Sequence, residues 1–355
     1  KPTMRVGQEV ENTLVNDYAD AKQERERYNK AHKSHAKWMR LAREVVWKLG
    51  HWKTKALKKF VQDFDPDIIF VPIFPYAYMG RIQEYIIKLT GKPTVCYDAC
   101  QDWIDYTHRF WTRQFVGPLA RNSKQMFVIV DMEKEDTDRR FGTDSVILTK
   151  GIDFSNRLFV DRVPNKPLRF VYTGSLAIGR DKTLAIVADA INKANAEMGE
   201  TLAELFIYSQ HQPSDDINAR INVDAAHYCG SVPHQEIKGI QEQADVVVFA
   251  EGIEGKEANI AKLSFSTKIT DYLASGKCVL AIGKEDIAPM DYFQRNDSAV
   301  IAHNADEIEL QIRRILSSSE LVSEYSRKAY DCAVRNHERG MMDKRFIETV
   351  CNAVK

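Results

Sequence analysis

Short apolar runs alternate with amphipathic segments along most of the chain. In the first half this pattern predicts strands over 68–73, 94–97, 126–130 and 146–148, separated by helices over 80–89, 104–119 and 132–141. In the second half it predicts strands over 168–173, 205–209, 226–230, 246–250, 279–282 and 299–302, with helices over 180–196, 235–243 and 267–275. Such alternation is typical of parallel sheets covered by helices on both faces. The stretch 306–354 is nearly all helical in pattern, which predicts a helical tail.

One stretch rich in glycine, proline and asparagine, 151–167, interrupts the alternation. We therefore expect an α/β protein of two tandem Rossmann-like, doubly wound domains, over 1–150 and 168–355, with 151–167 as their linker. The last helix is a candidate for crossing back to the first domain. A length of 355 residues fits two domains. Domains of this kind bind ligands at the carboxyl ends of their strands.

Amino-acid composition agrees with a globular two-domain protein and adds few constraints on its function. Lys plus Arg and Asp plus Glu both total 50, so net charge favours no partner class and nucleic acid is not expected as a partner. No apolar run approaches the ~18 residues that a membrane span needs. The six cysteines are few for this length and lie mostly in predicted strands and helices. Free thiols in a reducing compartment fit this usage, which predicts a cytoplasmic protein.

The segment 33–59 carries a strong local charge, with nine Lys or Arg residues against one acid, Glu44, and with three tryptophans. Apolar residues recur at the spacing of one helix face: Trp38, Leu41, Val45 and Leu49. Such a face is usually packed into a core, with the lysines in water. A basic amphipathic helix with tryptophan also suits peripheral contact with the inner face of the plasma membrane, close to a lipid-linked acceptor. Both interpretations stay open.

The strongest chemical signal is a strand, turn and helix over 170–184. Gly174 and Gly179 permit close backbone approach, and the helix starting near Arg180 offers unpaired N–H groups that bind phosphate. Arg180 and Lys182 add two cations, of which arginine can grip a diphosphate with two parallel hydrogen bonds. The segment predicts a diphosphate site, and an ordinary turn with solvated charges is the alternative.

A second signal lies in 262–281. Ser266 and Thr267 are residue types that cap the start of a helix. Lys268 and Asp271 are three residues apart and share a helix face. Lys268 could neutralise phosphate and Asp271 could accept hydrogen bonds from ribose hydroxyls. The alternative is a capped surface helix with one ion pair.

Together the two segments resemble the C-terminal domain of the family-4-like, retaining glycosyltransferases of the B fold, of the type that builds bacterial cell-surface polysaccharides. The resemblance spans 149–316 and rests on the order of Tyr-Thr-Gly-Ser-Leu at 172–176, Gly-Arg-Asp-Lys at 179–182, Ala-Asp-Val-Val-Val at 244–248 and Ser-Phe-Ser-Thr-Lys-Ile-Thr-Asp-Tyr-Leu-Ala-Ser-Gly-Lys at 264–277. It implies transfer of a sugar from a nucleotide-sugar to an acceptor hydroxyl, with retention of configuration. It also implies no obligatory metal or cofactor. A UDP-sugar is expected as the donor ahead of a GDP-sugar, and the acceptor is a sugar or a lipid-linked molecule.

The resemblance also assigns roles to single residues. Gly174 and Ser175 match the diphosphate turn, Arg180 and Lys182 match the basic pair on the leaving phosphates, and Asp271 matches the ribose-binding acid. Arg180 and Lys268 are therefore the expected catalytic cations. No residue is expected to bind a metal.

One departure concerns the acids. Relatives often carry two Glu eight positions apart, but Leu263 stands eight before Asp271. Glu251, Glu254 and Glu257 are possible substitutes, although a solvated loop is the expectation for them.

On the acceptor side, 97–103 follows a strand, and the resemblance favours Asp102 as the group that orients the acceptor hydroxyl or accepts its proton. A loop Asp that caps the next helix is the alternative. The family's opening strand and glycine-rich loop are not found, so the first domain is expected to be incomplete at its N-terminus. Two other functions remain possible on this fold: a nucleotide-sugar epimerase and a non-catalytic partner subunit of a glycosyltransferase.

Overall fold

A computed structural model describes residues 37–74, 76–99, 109–255, 257–259 and 262–355. The strands in these ranges are β1 (Ile69–Pro72), β2 (Thr94–Tyr97), β3 (Gln125–Val128), β4 (Val146–Ile147), β5 (Leu168–Thr173), β6 (Ala203–Tyr208), β7 (Ala226–Gly230), β8 (Val246–Ala250), β9 (Cys278–Ile282) and β10 (Val300–Ala302). The α-helices are α1 (Lys37–Leu49), α2 (Lys55–Phe64), α3 (Ala77–Thr90), α4 (Arg109–Asn122), α5 (Asp131–Phe141), α6 (Arg180–Met198), α7 (Asp215–Ile221), α8 (His234–Glu242), α9 (Thr267–Ala274), α10 (Ala288–Arg295), α11 (Ala305–Ser317), α12 (Ser319–His337) and α13 (Arg339–Val354). Within the described ranges, none of these helices is long and apolar enough to cross a membrane.

The strands form two parallel sheets, one of four strands and one of six. In the smaller sheet β1 pairs with β2 and β3 pairs with β4. The larger sheet has the order β10-β9-β8-β5-β6-β7, with β5 beside both β6 and β8. Every residue of β8 and β9 is buried, because helices cover both faces of the sheet.

Two compact units can be recognised in the chain. The first contains the described residues up to Tyr97 together with 109–125 and 353–355, and the second contains 98–99 and 126–352. The proposed linker 151–167 holds no helix or strand, apart from an isolated bridge between Ile152 and Glu338. The domain boundaries expected from the sequence stay a prediction. In the second unit the Arg345 guanidinium donates to the Ile147 carbonyl at 2.8 Å, which attaches α13 to β4.

Most predicted elements are found within a few residues of their expected ends, but two helices were not predicted. α7 is only seven residues long and buries just Ile217 and Ile221, which is too little periodicity to recognise. α10 contains Pro289 in its first turn. Proline is compatible with that position because the first N–H groups of a helix have no helical partner.

The apolar stripe of α1 faces outwards, so its predicted packing into the core is wrong. Leu41, Val45 and Leu49 are 55%, 46% and 79% exposed. Trp52, which lies between α1 and α2, is 7% exposed, and the Trp47 ring stacks on a tyrosine of α3. The side chain of Trp38 lies outside the described residues.

Glu133 is a fully buried carboxyl group in the first turn of α5. Its Oε2 accepts a hydrogen bond from the Ile129 N–H at 2.7 Å, and its buried Oε1 has no hydrogen-bond partner among the described residues. Burial raises the pKa of Glu133 well above its ordinary value of 4.5, and the nearby charge of Asp98 raises it further.

We expect Glu133→Gln to increase stability near neutral pH and to flatten its pH dependence. A carboxyl whose folded pKa is raised favours folding below about pH 4.5 and loses that contribution as pH rises towards the folded pKa, at up to about 1.4 kcal/mol per pH unit. Glutamine keeps the shape and can still accept from Ile129 without ionising. Thermal unfolding across pH measures the effect, with the exposed Glu285→Gln as control. Parallel profiles for wild type and Glu133→Gln would contradict the assignment.

Candidate functional site

The order of the six-stranded sheet predicts a crevice at one point, beside β5. After β5 the chain continues to β6 on one side, and it later returns to β8 on the other side of β5. Loops that leave adjacent strands in opposite directions open a crevice at their carboxyl ends. Gly174 follows β5 and Glu251 follows β8, so both residues lie at this crevice.

The turn after β5 is stabilised by local hydrogen bonds, and two of its residues have a left-handed backbone conformation. The Tyr172 hydroxyl donates to the Ser175 carbonyl at 2.5 Å, and Ser175 Oγ accepts from the Ala177 N–H at 3.1 Å. Ile178 and Gly179 both have positive φ, at 64° and 75°. Isoleucine is strained in this region, and such strain is concentrated at functional sites. The turn leads directly into α6, whose first N–H groups therefore lie beside the end of β5.

Arg180, the first residue of α6, is paired with a buried carboxylate. Its Nε and Nη2 each donate to Glu251 at 2.8 Å, a bidentate pair in which the side chains are 15% and 3% exposed. The expectation that Glu251 lies in a solvated loop is wrong. Glu251 directly follows a fully buried strand, so it remains inside the crevice, and its carbonyl accepts from Thr183 Oγ1 at 2.8 Å. The sequence signal was the uninterrupted apolar run immediately before it.

Lys268 brings a second cation to the end of β5. Ser266 caps α9 by accepting from the Lys268 N–H at 3.4 Å. The Lys268 ammonium lies 3.5 Å from the Tyr172 hydroxyl and occupies the space that a Cβ on Gly174 would need. Burial and, to a smaller extent, the neighbouring charge of Arg180 lower the pKa of Lys268 to about 8. With Glu251 the two cations carry a net charge of +1, and an anion placed here would favour the protonated lysine.

A buried tyrosine holds α9 against β5. The Tyr272 hydroxyl accepts from the Thr173 N–H at 3.0 Å and lies 3.1 Å from the Thr173 carbonyl, to which it donates. Tyr272 is 0% exposed. Because Tyr272 and Lys268 lie one turn apart on α9, this contact fixes where the Lys268 side chain reaches.

Asp271 pairs with a residue other than the one expected. Its carboxylate lies 2.5 Å from the Lys150 ammonium, with side chains 35% and 41% exposed. The predicted alternative of a surface ion pair between Lys268 and Asp271 is therefore wrong for the described residues. Asp271 is accessible and points to the part of the chain that follows β4.

The other residues predicted for the site are either exposed or outside the described part of the chain. Lys182 is exposed in the first turn of α6, with no ion pair to its side chain within the described ranges. Thr267 is the exposed first residue of α9. Asp102 lies outside the described residues. Glu254 is exposed and the Glu257 side chain is not described. Across the described part of the chain, no three His, Cys, Asp or Glu residues are grouped so that they could hold a metal ion.

No protein-family model and no curated protein matches the chain in sequence. Solved structures match it well. The S. aureus TarM G117R mutant, in complex with fondaparinux, α-GlcNAc-glycerol and UDP, gives a TM-score of 0.59 at 13% identity over 83% of this chain and 58% of its own. Sucrose-phosphate synthase from Thermosynechococcus elongatus gives 0.63 at 11% identity over 87% and 79%. Anabaena HepE with UDP-glucose gives 0.61 at 11% identity over 84% and 82%.

The chain has the glycosyltransferase B fold. The predicted fold class of two Rossmann-like domains with parallel sheets is thereby confirmed. At 11–13% identity these likenesses establish the fold.

Proposed function

We propose that this chain is a glycosyltransferase that moves a sugar from a nucleotide-sugar to an acceptor hydroxyl in polysaccharide or glycoconjugate synthesis. The observation that carries this proposal is the convergence of Arg180, Lys268 and the Gly174 turn at one crevice of a glycosyltransferase B fold. The preference for a UDP-sugar over a GDP-sugar is supported by the UDP-glucose in HepE and the UDP in TarM. The acceptor is proposed to be a sugar or a lipid-linked molecule.

The chemistry requires fixed positive charge at the donor diphosphate. Breaking the bond between sugar and phosphate leaves negative charge on the diphosphate, and preorganised donors stabilise that charge in the transition state. Glu251 holds two of the Arg180 nitrogens, so the guanidinium needs no reorganisation when the donor binds. Lys268 supplies the second charge, and Ser175 and the start of α6 supply backbone N–H groups. Gly174 contributes by close backbone approach, because its own N–H already donates to the Tyr208 carbonyl at 2.9 Å.

The roles of the other predicted residues complete the proposal. Lys182 is proposed to contact the outer side of the diphosphate, and Asp271 to accept hydrogen bonds from the ribose hydroxyls in exchange for, or together with, Lys150. Ser266 and Thr267 would present the first N–H groups of α9. Asp102 is proposed on sequence alone to orient or deprotonate the acceptor hydroxyl. Retention of configuration and independence from a metal rest on the resemblance.

We expect UDP-sugars to raise the melting temperature and GDP-sugars to leave it nearly unchanged. A ligand at about a hundred times its dissociation constant adds about 2.7 kcal/mol to stability, which amounts to several degrees. Lys182→Ala should reduce the shift, whereas Lys193→Ala, an exposed lysine farther along α6, should not. Calorimetry or differential scanning fluorimetry measures both effects.

Product analysis with the same nucleotide-sugars, beside the binding screen, distinguishes the rival functions. Release of UDP that depends on an added acceptor supports the transferase. Interconversion of the UDP-sugar without any acceptor would instead identify an epimerase. Absence of binding by every nucleotide-sugar would overturn the donor site and favour a non-catalytic partner subunit.

A further inference from the structure

Helix α1 packs against its own unit with its polar face. Arg43 lies 4.3 Å above the Tyr76 ring, Glu44 pairs with Arg81 at 3.5 Å, and the Trp47 ring stacks on Tyr78 with the centroids 5.0 Å apart. A surface helix normally turns its apolar stripe inwards. Here the polar and aromatic stripe takes that position, and the aliphatic stripe is left in water.

The outward stripe of α1 is continuous and ends beside a basic surface. We call this stripe the α1 ridge. It consists of Leu41, Val45, Val46 and Leu49, which are 55%, 46%, 67% and 79% exposed. Single exposed apolar residues are ordinary, but a contiguous group marks an interaction surface. The ridge ends at Leu49, and Lys48 and Gly50 on either side of it line a cavity.

That cavity has a volume of about 600 Å³ and is lined by the α1–α2 junction, α3 and α4. Among the described residues that line it, Glu84 is the only carboxylate and four are cations: Lys48, Lys53, Arg81 and Lys88. Two of these cations already have carboxylate partners, Lys88 with Glu84 at 2.6 Å and Arg81 with Glu44 at 3.5 Å. The lining still carries more positive than negative charge, and Lys and Arg N–H groups suit a phosphate group.

Aromatic side chains give the cavity a fixed wall. Trp52 is 7% exposed, and its indole N–H donates to the Trp47 carbonyl at 3.0 Å. Its ring meets Tyr85 edge to face at 5.5 Å. The Lys53 ammonium lies 5.2 Å from the Trp52 ring centroid and 5.3 Å from that of Tyr85. The rings therefore hold this charge at the cavity without neutralising it.

We propose that this face docks on an anionic lipid bilayer, with a lipid phosphate headgroup in the cavity and the α1 ridge in the acyl boundary. The two features belong together because stable membrane contact takes two signals, apolar insertion and attraction to anionic lipid. A second copy of the chain is a poorer occupant, since the same basic face on both partners would repel. The inference does not depend on sugar transfer, because it uses only residues of α1, α3 and the α1–α2 junction.

The experiment is flotation of the full chain with two kinds of vesicle, phosphatidylcholine alone and phosphatidylcholine mixed with phosphatidylglycerol. We expect binding to the anionic vesicles that weakens with salt. Lys53→Ser should weaken it about fivefold. Leu49→Ser should weaken it about tenfold, since the side chain would leave the acyl boundary. Because Leu49 and Lys53 are exposed, neither change should affect folding, and unchanged melting temperatures will check this.

Matched controls come from exposed residues elsewhere. Leu310→Ser and Lys344→Ser remove an apolar and a basic side chain that are 54% and 74% exposed, and binding should be unaffected. Equal binding to neutral and anionic vesicles, or equal loss in the controls, would overturn the inference. So would self-association that is lost in Leu49→Ser, which would mark a protein interface.

Discussion

Arg180→Ala is expected to lower the melting temperature by about 10 °C and to abolish nucleotide-sugar binding. The substitution leaves the buried Glu251 carboxylate without its bidentate partner. Removing one partner of a buried ion pair costs about 3–5 kcal/mol, and each kcal/mol corresponds to about 2–4 °C in a unit of this size. The donor site loses a fixed cation at the same time.

A double substitution separates these two consequences. Replacing a buried ion pair by apolar residues of similar volume is often neutral, so Arg180→Met combined with Glu251→Met should regain most of the lost stability. It should still fail to bind UDP or a UDP-sugar. Thermal unfolding and isothermal calorimetry on the single and double variants measure this. A double variant that is stable and also binds UDP would show that Arg180 only supports the fold.

Lys268→Met is expected to lower turnover by about 10²–10³ while leaving stability unchanged or higher. Methionine has a similar length, so it can fill the space beside Gly174 and Tyr172 without bringing a charge into a poorly hydrated place. Opposite effects on activity and stability are the signature of a residue kept for function. Lys238→Met, a lysine 56% exposed on α8, is the matched control and should change neither quantity.

Lys268 should also make both the stability of the protein and its affinity for UDP depend on pH. The pKa of Lys268 is about 8 in the folded protein against an ordinary 10.5, because burial and Arg180 disfavour its charge. Stability of the wild type should therefore rise between about pH 8 and 10.5, where the unfolded chain still holds a proton that the folded chain has lost. UDP affinity should fall over the same range. Lys268→Met should show neither change, and a wild type whose UDP affinity is constant to pH 10 would remove Lys268 from the site.

Local pattern was sufficient for most of the architecture. The strands 94–97, 168–173, 226–230 and 246–250 are found with the bounds that their apolar runs predict. The start of α6 at Arg180 is equally local, since it follows from a glycine-containing turn after a buried strand. These features depend on residues only a few positions apart, so the periodicity of the chain records them.

The sequence by itself determined the two-domain α/β fold, the glycine-containing turn at Gly174 between a strand and a helix, and the charged residues near it. Only the tertiary structure decided their partners: Arg180 with Glu251 across 71 positions, Lys268 with Tyr172 across 96 and Lys150 with Asp271 across 121. It also decided that the apolar stripe of α1 faces water. Such contacts depend on which strands become neighbours and on which helix face meets them. No short window of sequence contains that information, because the interacting residues are brought together only when the sheet forms.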